Sequence, residues 1–441
     1  MKNETDILFS QEEAVLSKVY RRLIVFLFFL FIASFLDRIN TAYAALSMNK
    51  NLGLSGTQFG VANTVFYIGY LVCEVPSNFM MVRFGARRWI ARIMITWGIA
   101  ASATCLAMGP DSLYSLRFLV GVAEAGFLPG VLLYLTYWFP PSHRGRATAI
   151  FFLAQPITII LGGPLSGLIM RLDGLQGLMG WQWLFLLEGL PSIVLGMTAL
   201  FYLTDSPAKA HWLTDAEKQL LAGRIAREEA VLVTTRGGHS KWASLTDRKV
   251  IMLCVAYFCL VVSLNSNSTW TPLIMQSVLG HGADYLRVGL MSAIPGVCAV
   301  IVMPLWSKWS DRHTQRLWFV VLPMALAAVG WLIVAVSHDP ILQVIGLSMG
   351  SVGALTAMTV YWTLPALYMS PAARPAGTAL VNAAGIMGSA TAPTIIGALK
   401  DFTGSYSVGL WYTSFLLCFG ISIVVYLLRS KHKVSQRVLK I

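Results

Sequence analysis

Stretches of about twenty mostly apolar residues recur along the whole chain, and no other feature limits its fold as strongly. That is the length an α-helix needs to cross the hydrocarbon core of a bilayer. Twelve such runs fall near residues 22–44, 58–82, 89–108, 113–137, 147–170, 183–203, 250–276, 286–306, 317–336, 341–367, 377–399 and 407–428. Only 12% of the 441 residues are charged and 56% are hydrophobic, against about 25% charged in an ordinary soluble domain. The expected fold class is therefore an all-α polytopic membrane protein with no substantial soluble domain.

The net charge of +13 could suggest nucleic acid, but its distribution points elsewhere. If the amino terminus is inside, most of the Lys and Arg lie in inner segments, including Arg83, Arg87, Arg88, Arg92, Arg144 and Arg146. The outer loops hold only Lys50, Arg171, Arg287 and Lys400. Such a skew places both termini in the cytoplasm, so the basic balance reports topology rather than a nucleic-acid partner. The start, "MKNETDILFSQEEAVLSKVYRR", reads as a polar tail, with no cleavable signal peptide. The six cysteines lie in apolar spans without a C-x-x-C pair, and the seven histidines fall in tails, loops or span ends. Neither a disulfide framework nor a metal site is expected.

A long polar segment divides the spans six and six. The organisation reads as a tail over 1–21, an amino-terminal bundle over 22–203, a central loop over 204–249, a carboxyl-terminal bundle over 250–428 and a tail over 429–441. Within the loop, "LTDAEKQLLAGRIAREEA" reads as an amphipathic helix capped by Thr214 or Asp215. The halves repeat: "HRGRATA" at 143–149 matches "ARPAGTA" at 373–379, and "RFGARRW" at 83–89 matches "RHTQRLW" at 312–318. Two pseudo-symmetric six-helix bundles are the layout of a transporter whose substrate site lies between them at the membrane midplane.

The segments "FLDRINTAYAAL", "GYLVCEVPSN", "RFLVGVAEAGFLPG", "WFPPSHRGRATAIF" and "GWQWLFLLEGLPS" together resemble the anion:cation symporter branch of the major facilitator superfamily. The resemblance covers nearly the whole chain. It implies the major facilitator fold and proton-driven carriage of an organic anion such as a sugar acid, tartrate, phthalate or hydroxyphenylacetate. The chain departs from the pattern at Asn78 and Val82, where the first inner loop usually has Gly and Asp, although Asp311-Arg312 keep the acid in the second copy. It departs again at Asn265 and Ile386, where Tyr and Asn are frequent in the branch. These last two departures fall where substrate choice is expected.

Charges inside the spans narrow the site. An ion at the centre of a membrane helix costs roughly 2.5–3.5 kcal/mol on the insertion scale, yet Asp37 and Arg38 stand side by side in the first span. Arg117 and Glu124 share one face of the fourth span, and Asn63, Tyr67, Tyr70 and Glu74 form a stripe on the second. Gln155, beside Pro156, is near the middle of the fifth span, where the resemblance implies a substrate contact. At the equivalent offset the second half has Leu347 and Ala354, so its wall is neutral, built from Asn265, Asn267, Trp270, Tyr361, Trp362 and Asn382. We expect Arg38 and Arg117 to bind a carboxylate, since guanidinium offers paired hydrogen bonds. Tyr67, Gln155, Asn265, Asn267, Tyr361, Trp362 and Asn382 should contact the body of the anion, and Asp37 and Glu124 should couple protons. Alternatively, Arg38 forms a structural ion pair with Asp37 or Glu124, and the amides and rings hold helices together. Glu74 and Glu188 read equally well as packing or loop anchoring. The glycine-rich "LGGPLSGLI" is helix packing, because no Lys-Ser/Thr follows it as in a phosphate loop.

The leading expectation is thus a proton symporter importing a small organic anion across the inner (plasma) membrane, working as a monomer among lipids, with protons as the only coupling ion and no other cofactor. A hydroxylated, tartrate-like anion is favoured and an aromatic carboxylate stays open. An anion exchanger, a uniporter and a non-transporting nutrient sensor are the alternatives. An enzyme is not expected, since the spans hold no nucleophile, histidine or metal constellation, and no ATP-binding motif is present.

Overall fold

The computed structural model describes residues 2–234, 247–280, 282–313, 317–365, 369 and 374–438. Among them, twelve helices are long and apolar enough to cross a membrane: Ser10–Asn51, Gly56–Phe84, Ala86–Leu106, Pro110–Trp138, Pro141–Met170, Gly180–Tyr202, Arg248–Leu279, Tyr285–Ser310, Trp318–Val336, Pro340–Tyr361, Gly377–Thr403 and Ser407–Leu427. Each overlaps one predicted run. Their starts carry the chemistry that helix termini need. Ser55 and Gln58 form a capping box on the second span, Asp247, Asp284 and Asp339 accept amide hydrogens at the starts of the seventh, eighth and tenth, and proline opens the fourth, fifth and tenth.

The amino-terminal tail differs from the expectation. Lys2–Val19 is helical and runs through a π-helical turn at Tyr20–Ile24 into the first span. What orders it is the linker helix, Asp215–Thr234, which Thr214 and Glu217 cap reciprocally. Lys18 bonds Glu217 at 3.0 Å, and Arg224 bonds Glu13 at 2.9 Å. The linker also holds the inner end of the fifth span, through Arg144–Glu229 at 2.7 Å and Ser142–Glu228. Single exposed pairs contribute about 0–1 kcal/mol each; as a network they fasten the linker to the first half. Residues 235–246 of the central loop, and parts of the second-half motifs at 312–318 and 373–379, lie outside the described residues.

Two spans are broken near their middles. The fourth stops at Glu124 and restarts at Phe127, with Gly126 between them at φ 86°. A side chain there would be strained and would also meet the Ser77 hydroxyl at 2.4 Å. The fifth breaks at Leu153, because Pro156 has no N–H to bond the carbonyl four residues back. Glu124 and Gln155 both sit at these breaks.

The halves are joined at the face away from the termini. Gly163 and Gly289 approach so closely that a Cβ on Gly163 would lie 2.4 Å from the Gly289 carbonyl oxygen, so the glycine-rich stretch of the fifth span is indeed packing. Arg171, just past that span, pairs with Asp284, and the shared hydrogen bond holds the Asp284 carboxyl below its ordinary range. Asp401, at the end of the eleventh span, caps the second span across the interface: it accepts from Gly56 N at 2.8 Å, Thr57 N at 2.7 Å and Thr57 Oγ1 at 2.6 Å. Losing a cap of this kind costs about 0.5–2 kcal/mol. Hydrogen–deuterium exchange at the Gly56 and Thr57 amides is therefore expected to rise about 2- to 30-fold in Asp401→Ala. Unchanged exchange there would mean that Asp401 does not hold this face shut.

Candidate functional site

Successive residues on a helix point about 100° apart, and that rotation separates the two charges of the first span. Arg38 turns toward the fourth span and bonds Glu124 Oε1 through Nε at 2.7 Å and Nη2 at 2.6 Å. Ser34 Oγ donates to the same oxygen at 3.3 Å. Glu124 is buried, whereas 27% of the Arg38 side chain is exposed, and the Tyr70 ring lies 5.4 Å beneath its guanidinium. Asp37 turns the other way. It accepts from Trp97 Nε1 of the third span and from Asn40 Nδ2 at 2.8 Å. The ion pair of the first span is thus Arg38–Glu124, not Arg38–Asp37.

Arg117 is buried to 4% exposure with no ion pair among the described residues. Its Nε has no hydrogen-bond partner, and its guanidinium stacks 4.7 Å from the Phe66 ring. A desolvated cation–π contact is worth about 2 kcal/mol, less than the several kcal/mol that burying the ion costs. Asp37, Tyr67, Glu124 and Arg38 make up its electrostatic surroundings. With both carboxylates ionised, Arg38, Arg117, Asp37 and Glu124 sum to zero formal charge. An entering anion would leave the group negative unless a carboxylate took up a proton.

The opposite wall is only partly as expected. Asn265 crosses the interface, donating from Nδ2 to Tyr67 Oη at 2.9 Å, while Thr269 donates to its Oδ1 at 3.2 Å. Asn267 has a buried Nδ2 without a partner. Gln155 and Asn382 are half-buried and make no side-chain hydrogen bond among the described residues. Trp362 is half-buried with its ring 5.0 Å from Tyr257. Tyr361 does not join this wall: it is fully buried, stacked on Tyr257 at 5.1 Å, with its hydroxyl spent on the Leu253 carbonyl. It is part of the core of the second half. Trp270 likewise packs among Phe59 and Tyr406.

Two partners escaped the sequence reading: Trp97 is the principal donor to Asp37, and Asn40 lies one turn past it on the same helix. Glu188, read as packing or loop anchoring, is buried in the same pocket with Ser166 donating to Oε1 at 3.0 Å. Only Asn40 carried a local signal, its i, i+3 spacing from Asp37. Asp205, just past the sixth span, is a third: at the start of the third span it accepts from Arg87 N at 3.0 Å, and it pairs with Lys209 at 3.5 Å.

Comparison with known proteins agrees with the geometry. The sequence model of the Major Facilitator Superfamily matches residues 26–371 and 281–439. A protein of Agrobacterium vitis named "Putative tartrate transporter" is 42% identical over 422 residues, which cover 96% of this chain and 93% of that one. A quinolone resistance transporter of Acinetobacter baumannii is 36% identical over 420 residues, covering 95% and 96% respectively. The crystal structure of a bacterial homologue of the human lysosomal transporter Spinster aligns with a TM-score of 0.74 at 14% identity, over 92% of this chain and 96% of that one. At that identity the likeness is one of fold alone.

Proposed function

This chain belongs to the Major Facilitator Superfamily, and from that premise we propose that it imports a small organic anion together with protons by alternating access. It is a multi-pass membrane transporter and not an enzyme. The observation that carries the anion reading is Arg117, a buried guanidinium without a counter-ion in contact among the described residues, beside a second arginine that is still partly open. A carboxylate bridging Arg38 and Arg117 supplies the missing partner. Asn265, Asn267, Gln155 and Asn382 then meet the hydroxyls or second carboxylate of a tartrate-like molecule, a preference that the named tartrate relative supports. Trp362 and Tyr67 offer ring contacts to an aromatic carboxylate instead. The skew of Lys and Arg supports both termini in the cytoplasm of a cell whose inner membrane the chain spans, and we read the working unit as a monomer.

Proton coupling follows from the charge count. In the empty site Glu124 neutralises Arg38; an arriving anion claims the arginine, and the released carboxylate takes a proton. Substrate and proton each raise the other's affinity. The test is uptake of labelled tartrate, a sugar acid and an aromatic carboxylate into proteoliposomes, with and without an inward proton gradient. Accumulation of the hydroxylated acid is expected only with the gradient, and single alanines at Asn265 and Asn267 should reorder the preference among anions. Equal uptake with and without the gradient would make the chain a uniporter or exchanger, and an unchanged order would reduce the neutral wall to packing.

A further inference from the structure

Glu188 has no role in the transport cycle described so far, yet it is only 4% exposed inside the first half. Its Oε1 accepts from Ser166 at 3.0 Å, while its buried Oε2 has no hydrogen-bond partner. Among the described residues no cation of the surrounding helices pairs with it: Arg38 of the first span is turned to Glu124. The first span presents Asp37, Asn40 and Tyr43; the fifth presents Ser166; and the third presents Trp97 and Ser102, whose hydroxyl lies 2.2 Å from where a Cβ on the adjacent Gly189 would stand. Arg92 of the third span stacks on Trp89 near its inner end, and Arg171 past the fifth is taken by Asp284. Asn40 stands between the two acids, donating to Asp37 Oδ1 at 2.8 Å while also facing Glu188.

Charge balance then restricts this pocket. Asp37 and Glu124 already offset the two arginines, so a second ion at Glu188 would leave an uncompensated buried negative charge. A protonated Oε2 removes that charge. The groups that reach the two acids from Trp97, Asn40 and Ser166 are hydrogen donors, which suits a shared proton better than a metal cation seeking oxygen lone pairs. We propose that Asp37 and Glu188 form one proton-sharing unit bridged by Asn40, in which Glu188 holds the proton while Asp37 stays ionised toward Arg117. The unit carries one proton and one negative charge; above the pH at which it loses that proton, the empty carrier gains a buried charge and stalls. For its meaning in transport this rests on the proton-coupled reading, but its presence is measurable without transport.

The test is infrared spectroscopy of the purified full chain at neutral pH without substrate. The wild type is expected to show the C=O stretch of a buried carboxylic acid, and Glu188→Gln should lose it. Ser166→Ala removes the hydroxyl donating to Oε1 and should shift the band without abolishing it, which keeps the assignment testable if Glu188→Gln fails to fold. In proteoliposomes, net downhill efflux of substrate needs the empty carrier to return, so its alkaline decline in the wild type should be reduced in Glu188→Gln. Absence of the band, a band indifferent to both substitutions, or an alkaline decline of net efflux unchanged in Glu188→Gln would overturn the proposal. Gradient-independent uptake alongside a Glu188 band would reject proton symport and leave this assignment standing.

Discussion

Arg117→Lys is expected to weaken substrate binding by about 2–4 kcal/mol, or roughly 30- to 1,000-fold. The magnitude follows from the surroundings of the side chain. Arg117 is almost fully buried, its guanidinium lies over the Phe66 ring at 4.7 Å, and no acid of the described residues is within ion-pair distance. A bound carboxylate would be its one strong partner, and a fork of N–H donors fits that group with two parallel bonds. Lysine keeps the charge but loses the planar stack and the second bond. Arg38→Lys should be milder, because Glu124 remains beside it and the site is more open there. Equilibrium binding of tartrate to the purified variants measures both. Unchanged affinity in both would remove the arginines from the site.

Much of the fold was legible because membrane helices declare themselves by length and apolarity, and all twelve spans overlap the predicted runs. The charged side of the site was legible for the same reason, since an ion in an oily segment is conspicuous. Its pairing was not. Asp37 and Arg38 are neighbours in sequence, and only the helical rotation together with the approach of the third and fourth spans assigns one to Trp97 and the other to Glu124. Glu188 looked like a span-end acid until the packing of the sixth span set it beside Asn40 of the first span and Ser166 of the fifth, while Gly189 and Gly98 let the third span come close. Tyr361 failed for the opposite reason: an aromatic residue in a span is equally compatible with core and cavity, and the Leu253 carbonyl decided it. Asp401 and Asp205 carried no signal at all, because a cap on a distant helix leaves no trace in local sequence.

In the proposed cycle coupling rests on Glu124, and its geometry supports a clean substitution. Two guanidinium nitrogens of Arg38, Nε and Nη2, and the Ser34 hydroxyl converge on Glu124 Oε1. A glutamine can leave its amide oxygen in that place, keep the hydrogen bonds and mimic the protonated acid without a charge to titrate. The break after Glu124, with Gly126 in the left-handed region, places the acid at the one point of the fourth span where the helix ladder is interrupted. In proteoliposomes, Glu124→Gln is therefore expected to exchange internal for external substrate at a rate near that of the wild type, yet fail to accumulate it when an inward pH gradient is imposed. Counterflow retained with gradient-driven accumulation lost would identify Glu124 as the proton site of a symporter. Wild-type accumulation in Glu124→Gln would contradict that assignment and move the coupling proton to Asp37.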